Sequence, residues 1–205
     1  MKSIQWDGQR ISRPGIYAGI PLEDYHRGDI CDGPSLSSSG LRLLWSKSAK
    51  HFWDKSPLNP DRSDEDDDKK EYIIGRAAHH LICGELGFAN LYVIRPDKAP
   101  DGRPWHGSNG SCVRWLADQK RLGKTVLTPD MVETVRGMAI SLGDNSLMRA
   151  GILSGLVERS LFWRDRDTNV WLKARPDVIS TASGDFADLK TTTSVLYRDT
   201  QWSLE

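Results

Sequence analysis

Asp177, Asp188 and Lys190 are the residues of this chain whose types and spacing point to chemistry. The segment Trp171-Leu-Lys-Ala-Arg-Pro-Asp177 and the segment Asp185–Thr192 flank a Ser183-Gly184 turn, which reads as a β-hairpin. Side chains alternate along a strand, so Asp188 and Lys190 share a face with Leu189 behind them. Asp177, near the end of the preceding strand, approaches Asp188 across the pair. A third acid, Glu158 in Leu156-Val-Glu-Arg-Ser-Leu-Phe-Trp163, lies one predicted strand upstream. Carboxylates gathered this closely resist joint ionisation. A divalent cation relieves the repulsion, and hard oxygen ligands favour Mg²⁺ or Mn²⁺ over zinc. A lone Asp-x-Lys is common by chance, and exposed charges on a hairpin account for it equally well. The combination with Pro176 before Asp177, the hairpin spacing and Glu158 sets this one apart.

The strands that carry these residues are predicted at 156–165, 170–180 and 185–192, as an antiparallel meander. Upstream, residues 1–34 are rich in Gly, Pro and Asp and read as an irregular lead-in with a turn at Pro21 and one short strand. Ser35–Ser39 offers N-caps for a helix whose apolar face is Leu41, Leu44, Trp45, Ala49 and Phe52, and which stops before Pro57. Asp61–Lys70 is a charged run that reads as a solvated connection. A helix over 71–86 buries the stripe Ile74, Ala77, Ala78 and Leu81. His79 stands at i+4 from Gly75 on the shoulder of that stripe, and His80 points about a third of a turn away. A histidine at such a shoulder is also a common core-edge residue.

A strand at 91–94 leads into a Pro/Gly-rich loop with Trp105 and His106, then a helix over 111–121 ended by Gly123. Arg103, Arg114, Lys120 and Lys124, interleaved with Trp105 and Trp115, could line a DNA path through phosphate contacts and stacking. An amphipathic helix with a buried tryptophan explains the same residues. Thr128-Pro129-Asp130 opens a further helix, with Thr as N-cap and Pro at the first helical position. Val132, Val135, Met138, Ala139 and Leu142 make its apolar face, Gly143-Asp-Asn145 breaks it, and a short helix over 146–150 follows.

The 205 residues suffice for one domain with a sizeable core. Lys plus Arg equals Asp plus Glu at 28 each, so no global basicity marks a nucleic-acid partner, although an enzyme can confine its basic residues to one groove. Three scattered cysteines give neither a zinc motif nor a disulfide framework, and reduced thiols in the cytosol are the simple account. The first ten residues are polar, with no signal-peptide pattern, and no run is long enough to span a bilayer. A soluble, cytoplasmic protein with no membrane partner is expected.

Taken together, Tyr25-His26 with Ser35–Ser39, Gly75-x-Ala77-x-His79, Val126-Leu-Thr-Pro129, Glu158–Trp163, Lys173-Ala-Arg-Pro-Asp177 and Asp188-Leu-Lys-Thr-Thr192 resemble the PD-(D/E)xK nuclease superfamily. The pattern is closest to its RecE-type exonucleases, the exodeoxyribonuclease VIII group. The resemblance implies an α/β fold with a central mixed sheet flanked by helices, occupying residues 35–205. It implies Mg²⁺- or Mn²⁺-dependent hydrolysis of linear double-stranded DNA from its 5′ ends, leaving 3′ single-stranded tails for phage-type recombination. It also implies a ring-like homo-oligomer and a single-strand annealing recombination protein as partner. Carried onto this sequence, Asp177, Asp188, the Leu189 carbonyl and His79 hold the metal. Lys190 orients or deprotonates the attacking water, and Glu158 is an outer-sphere or second-metal ligand. Two alternatives stay open: a RecB-like nuclease of a repair or CRISPR-adaptation complex, and a catalytically silent DNA-binding remnant. Three scattered cysteines argue against the iron–sulfur members of the former.

In the RecE-like and RecB-like branches a helix carrying Gln-x-x-x-Tyr follows the lysine motif. Here fifteen residues follow Lys190 and that pattern is absent, with no residue at the Tyr position for Gln201. The expectation is a fragment of a longer nuclease or a truncated copy, with low stability and weak or no activity for these 205 residues alone.

Overall fold

The computed structural model describes residues 2–62, 69–85, 87–181, 183–192, 194 and 196. Most of the acidic run between 61 and 70, and the tail containing Gln201, lie outside the described residues. In chain order the elements are β1 (Ile4–Gln5), β2 (Gly15–Ala18), α1 (Leu22–His26), β3 (Ser35–Ser37), α2 (Ser38–Ser46), α3 (Ala49–Lys55), α4 (Lys70–Ile82), α5 (Phe88–Leu91) and β4 (Tyr92–Ile94). They continue with α6 (Gly110–Arg121), β5 (Thr125–Leu127), α7 (Pro129–Gly143), α8 (Ser146–Arg149), β6 (Gly155–Val157), β7 (Ser160–Arg164), β8 (Trp171–Ala174), β9 (Val178–Ser180) and β10 (Phe186–Ala187). The chain is α/β and divides into two compact units: Met1–Glu65 with Ile152–Asp188, and Asp66–Gly151 with Leu189–Glu205. Among the described residues no helix is long and apolar enough to cross a membrane.

The first unit is built on a mixed five-stranded sheet in the order β1-β2-β7-β8-β3. The β7–β8 hairpin is antiparallel, and β3 adds to β8 in parallel, with Ser37 opposite Lys173. α2 packs against β3 and β8. The core is Ile11, Tyr17, Ile20, Tyr25, Ile30, Cys31, Phe162 and Trp171. Six of these eight come from residues 1–34, so the stretch expected to be an irregular lead-in carries β1, β2, α1 and most of the core. Its apolar residues come in short patches between turns, such as Ile16-Tyr-Ala18 and Ile30-Cys31, too short to show a periodicity. Ser35–Ser37, expected as helix caps, is a strand instead, with Ser37 alone capping α2. The single helix expected up to Pro57 breaks at Lys47-Ser48. The Ser48 hydroxyl accepts the His51 amide and starts α3 afresh, and Trp45 is left 93% exposed.

The alternation on β8 buries Trp171 and Lys173 on one face. Lys173 is 4% exposed, and its ammonium donates to the carbonyls of Tyr25, 2.7 Å away, and Arg27, 3.3 Å away, closing the C-terminal end of α1. Burial lowers its pKa from 10.5 to about 8. Between those pH values the folded chain holds fewer protons than the unfolded one, so this group adds stability as pH rises. Cys31, pushed up from 9.0 to about 11 by burial, and Tyr25, pushed up from 10.0 to about 12, act in the opposite sense, because the folded chain keeps protons that the unfolded chain loses. Both are present in a Lys173→Met protein, where Cys31 loses the charge of Lys173 that lowers its pKa and so stays neutral to still higher pH. The stability of the wild type relative to Lys173→Met is expected to rise from pH 8 to 10.5, by on the order of 3 kcal/mol. Urea unfolding of both proteins across that range is the check, and a flat difference is the result against it.

The second unit contains a βαβ element, in which β4 and β5 pair in parallel and α6 lies in their connection. α4 and α7 pack together over a core of Ala77, Ala78, Tyr92, Leu127, Met131 and Val135. The Thr128 hydroxyl accepts the Met131 amide with Pro129 in the first turn, as the sequence predicts. Gly123, with φ +69, follows α6. On α4, Ala77 and Ala78 are buried, but Leu81 is exposed and His80 takes the inward place.

Candidate metal centre

The three acids belong to the first unit, and the β-ladder aligns them. Leu161 faces Ala174 in the β7–β8 hairpin, and Leu156 faces Ile179 in the β6–β9 pair, five positions along each strand. One hairpin register therefore runs through both pairs, yet β7–β8 belongs to the five-stranded sheet and β6–β9 to a three-stranded one ordered β10-β9-β6. The ribbon changes sheets at Glu158-Arg159 on one strand and Arg175-Pro176-Asp177 on the other. Pro176 has no N–H to give to a ladder, which suits it to the break. Glu158 sits at φ +53, a left-handed conformation that costs a non-glycine residue roughly 1 kcal/mol or more. The strands predicted at 156–165 and 170–180 are thus each split in two at these kinks.

In the three-stranded sheet, Val157 faces Val178 and Val178 faces Ala187. The next position along each strand is Glu158, Asp177 and Asp188. The Glu158 amide donates to the Asp177 carbonyl at 2.9 Å, which extends the row by one bond. These three acidic residues therefore each stand one position beyond the paired part of β6, β9 and β10, in a row along the same end of that sheet. They grade from the interior to the surface: Asp177 is 9% exposed, Glu158 is half-buried and Asp188 is exposed. Hard oxygen donors in such a row fit Mg²⁺ or Mn²⁺. The strand expected over 185–192 is confined to Phe186–Ala187, so Asp188, Leu189 and Lys190 follow it without regular structure. The sheet edge ends where pairing partners run out, and the alternation argument that put Asp188 and Lys190 on one strand face no longer applies.

One side chain to which the sequence reading gave no role holds Glu158. Arg175 donates from Nε to Glu158 Oε2 and from Nη1 to the Ile20 carbonyl at 3.0 Å. Its guanidinium lies 5.7 Å from the centre of the Tyr25 ring. The available signal was its position two residues before Asp177 in an alternating strand. Lys173, two residues earlier, sits 5.1 Å from the same ring.

The second unit holds His79 and the segment that carries Lys190. His79 Nδ1 lies 2.9 Å from Glu85 Oε1. An ionised carboxylate can only accept, so Nδ1 is the donor of this bond. Glu85 was not anticipated. It follows Gly84 at φ +71, which turns the chain back after α4. His80 is 5% exposed and packs edge-on against Phe88 and Tyr92, with Nε2 3.8 Å from Glu85 Oε2. Gly75, four residues before His79, has no side chain. A Cβ there would lie 2.9 Å from the Thr191 hydroxyl, so the glycine makes way for the segment just after Lys190. Lys190 is exposed and Leu189 half-buried.

These placements give the two histidines opposite expected behaviour. His80→Ala is expected to lower stability by about 2–3 kcal/mol through the cavity it leaves, and His79→Ala by under about 1 kcal/mol. In Mn²⁺ titration the order reverses, with His79→Ala the weaker binder. Thermal unfolding and calorimetry of both proteins are the checks. Equal metal affinities would end the ligand assignment of His79.

The basic residues expected along a DNA path also fall in the second unit. Arg103, Arg114 and Lys120 are exposed, whereas the Lys124 ammonium donates to the Ala89 carbonyl at 3.0 Å. Trp105 is half-buried, edge-on to Trp115 at 5.4 Å, with Arg95 at 5.4 Å from its ring. Those contacts give the tryptophan a packing role within the unit. No protein-family model matches this chain, and neither does a curated protein or a solved structure.

Proposed function

We propose that this chain is a metal-dependent deoxyribonuclease that hydrolyses linear double-stranded DNA from its ends. The observation that carries the reading is the gathering of Glu158, Asp177 and Asp188 at the same end of β6, β9 and β10, one position beyond their paired parts. The Asp-x-Lys spacing of Asp188 and Lys190, and the His79–Glu85 pair, support it. A phosphodiester is anionic and repels hydroxide, so its hydrolysis needs charge neutralisation and a nucleophile generated near neutral pH. Asp177 and Asp188 would hold Mg²⁺ or Mn²⁺, and the sequence resemblance adds His79 and the Leu189 carbonyl to them as ligands. A divalent ion supplies Lewis acidity toward a phosphoryl oxygen and lowers the pKa of water. Lys190 orients the attacking water and offsets negative charge as the new P–O bond forms and the bond to the leaving 3′ oxygen breaks. Arg103, Arg114 and Lys120, exposed on the second unit, neutralise backbone phosphates. RecE-type recombination, with 3′ tails passed to an annealing protein and a ring of identical subunits around DNA, is the form of this activity that the sequence resemblance favours.

The test is a linear duplex labelled at either end and incubated with the 205-residue protein in Mg²⁺ or in EDTA. Slow release of label from 5′ ends is expected in Mg²⁺ alone with protein in excess over DNA ends, because the Gln-x-x-x-Tyr pattern is absent, and a closed circular duplex should be spared. An intact linear duplex in the presence of folded protein and Mg²⁺ would overturn the reading. Retained DNA binding in that case would identify a silent binding module.

A further inference from the structure

We infer that Arg175 is the positioning residue of the carboxylate row, acting through Glu158 to fix where the metal-binding oxygens stand. The inference rests on the metal-binding part of the proposed function. Arg175 lies at the point where the ribbon changes sheets, and its side chain is 12% exposed. It is held from three directions: the Ile20 carbonyl accepts from Nη1, the Tyr25 ring lies beneath the guanidinium, and Glu158 accepts from Nε. A guanidinium fixed by a backbone carbonyl and an aromatic face is a rigid donor, so the carboxylate it holds is rigid too. Glu158 is in turn joined through its own amide to the Asp177 carbonyl, while only Pro176 separates Arg175 from Asp177 along the chain. Arg175, Glu158 and Asp177 thus form a closed loop of one ion pair, one backbone hydrogen bond and two covalent steps.

The left-handed backbone of Glu158 and its carboxylate's bond to Arg175 occur at the same residue. The ion pair couples that conformation to β8, and removing either partner releases the row. Glu158 therefore influences metal affinity from the Arg175 side of the row. Its Oε2 is engaged by the guanidinium, which makes it an orienting group for Asp177.

The test is calorimetric titration of Mn²⁺ into the full chain as wild type, Arg175→Met, Arg175→Lys, Glu158→Gln and the Arg175→Met/Glu158→Gln double variant, with thermal unfolding of each. Loss of an orienting partner of this kind typically weakens metal binding about 10- to 100-fold. That loss is expected for Arg175→Met and for Glu158→Gln. The double variant should bind no more weakly than the worse single one, because both substitutions cut the same link. Arg175→Lys should recover part of the affinity, since an ammonium can still pair with Glu158. If Arg175→Met does not fold, Arg175→Lys and Glu158→Gln decide the matter.

Wild-type affinity in Arg175→Met or Glu158→Gln, losses that multiply in the double variant, or a wild type that binds no Mn²⁺ would each overturn the inference. The readout is separate from cleavage. A protein that binds Mn²⁺ with this coupling but leaves DNA uncut fails the nuclease reading alone. A protein that cuts DNA while Arg175→Met retains full affinity fails this inference alone.

Discussion

Asp188→Ala and Lys190→Ala proteins are each expected to leave an end-labelled duplex intact in Mg²⁺ while unfolding at the wild-type temperature. Both residues are exposed and lie beyond the last paired position of β10, so neither contributes appreciably to packing. The stability change should stay within about 0.5 kcal/mol, as for ordinary surface substitutions. Loss of a metal ligand or of the group facing the attacking water removes roughly 4 kcal/mol of transition-state stabilisation, a rate loss of about a thousandfold. Asp177→Ala would give a less clean answer. That side chain is 9% exposed and stands at the kink, so stability and chemistry would fall together. Turnover within tenfold of wild type by either the Asp188→Ala or the Lys190→Ala protein would remove these two residues from the reaction.

The second large effect concerns stability. Trp171 is fully buried at the start of β8, donates from Nε1 to Asp32 Oδ1 at 2.6 Å, and carries the Arg164 guanidinium 4.4 Å from its ring centre. Arg164 also reaches Asp32 at 2.7 Å, so one aspartate ties the tryptophan and the arginine to the loop before β3. Trp171→Ala is expected to cost about 3–5 kcal/mol, mainly through the cavity left in the first unit. Trp171→Phe should cost less, because Asp32 retains its arginine. Urea unfolding followed by far-UV circular dichroism measures both. A loss under about 1 kcal/mol for Trp171→Ala would mean that the core is not organised around this residue.

What could be read from the sequence follows from how locally each feature is determined. The Thr128-Pro129 start of α7 and the break at Gly143–Asn145 rest on a few adjacent residues, and the structure has them. The antiparallel pairing of the strands expected at 156–165 and 170–180 follows from turn and alternation, and it too is present. The split of that hairpin between two sheets was not legible, because nothing in a glutamate signals φ +53. The kink is maintained by Arg175 and Ile20, and Ile20 lies more than a hundred residues away in sequence. Burial of Lys173 was hidden for a similar reason. A lysine on a strand is ordinarily an outward residue, and only the arrival of the α1 carbonyls gives its ammonium partners inside. On α4, periodicity placed Leu81 inward, whereas the rings of Phe88 and Tyr92 draw His80 in instead. The acids themselves were found by type and spacing. Their alignment in a row depended on pairing that spacing alone does not specify.

The thiols open a route to measuring the two units separately. Cys31 is buried in the first unit, and Cys83 and Cys112 are buried in the second. A reagent such as a maleimide reaches each sulfur only when its surroundings open, so labelling rates under native conditions report local or global opening at that site. Mass spectrometry of the three cysteine peptides would then give two opening free energies from one unmodified sample. Adding Mn²⁺ or duplex DNA would show which unit each ligand protects.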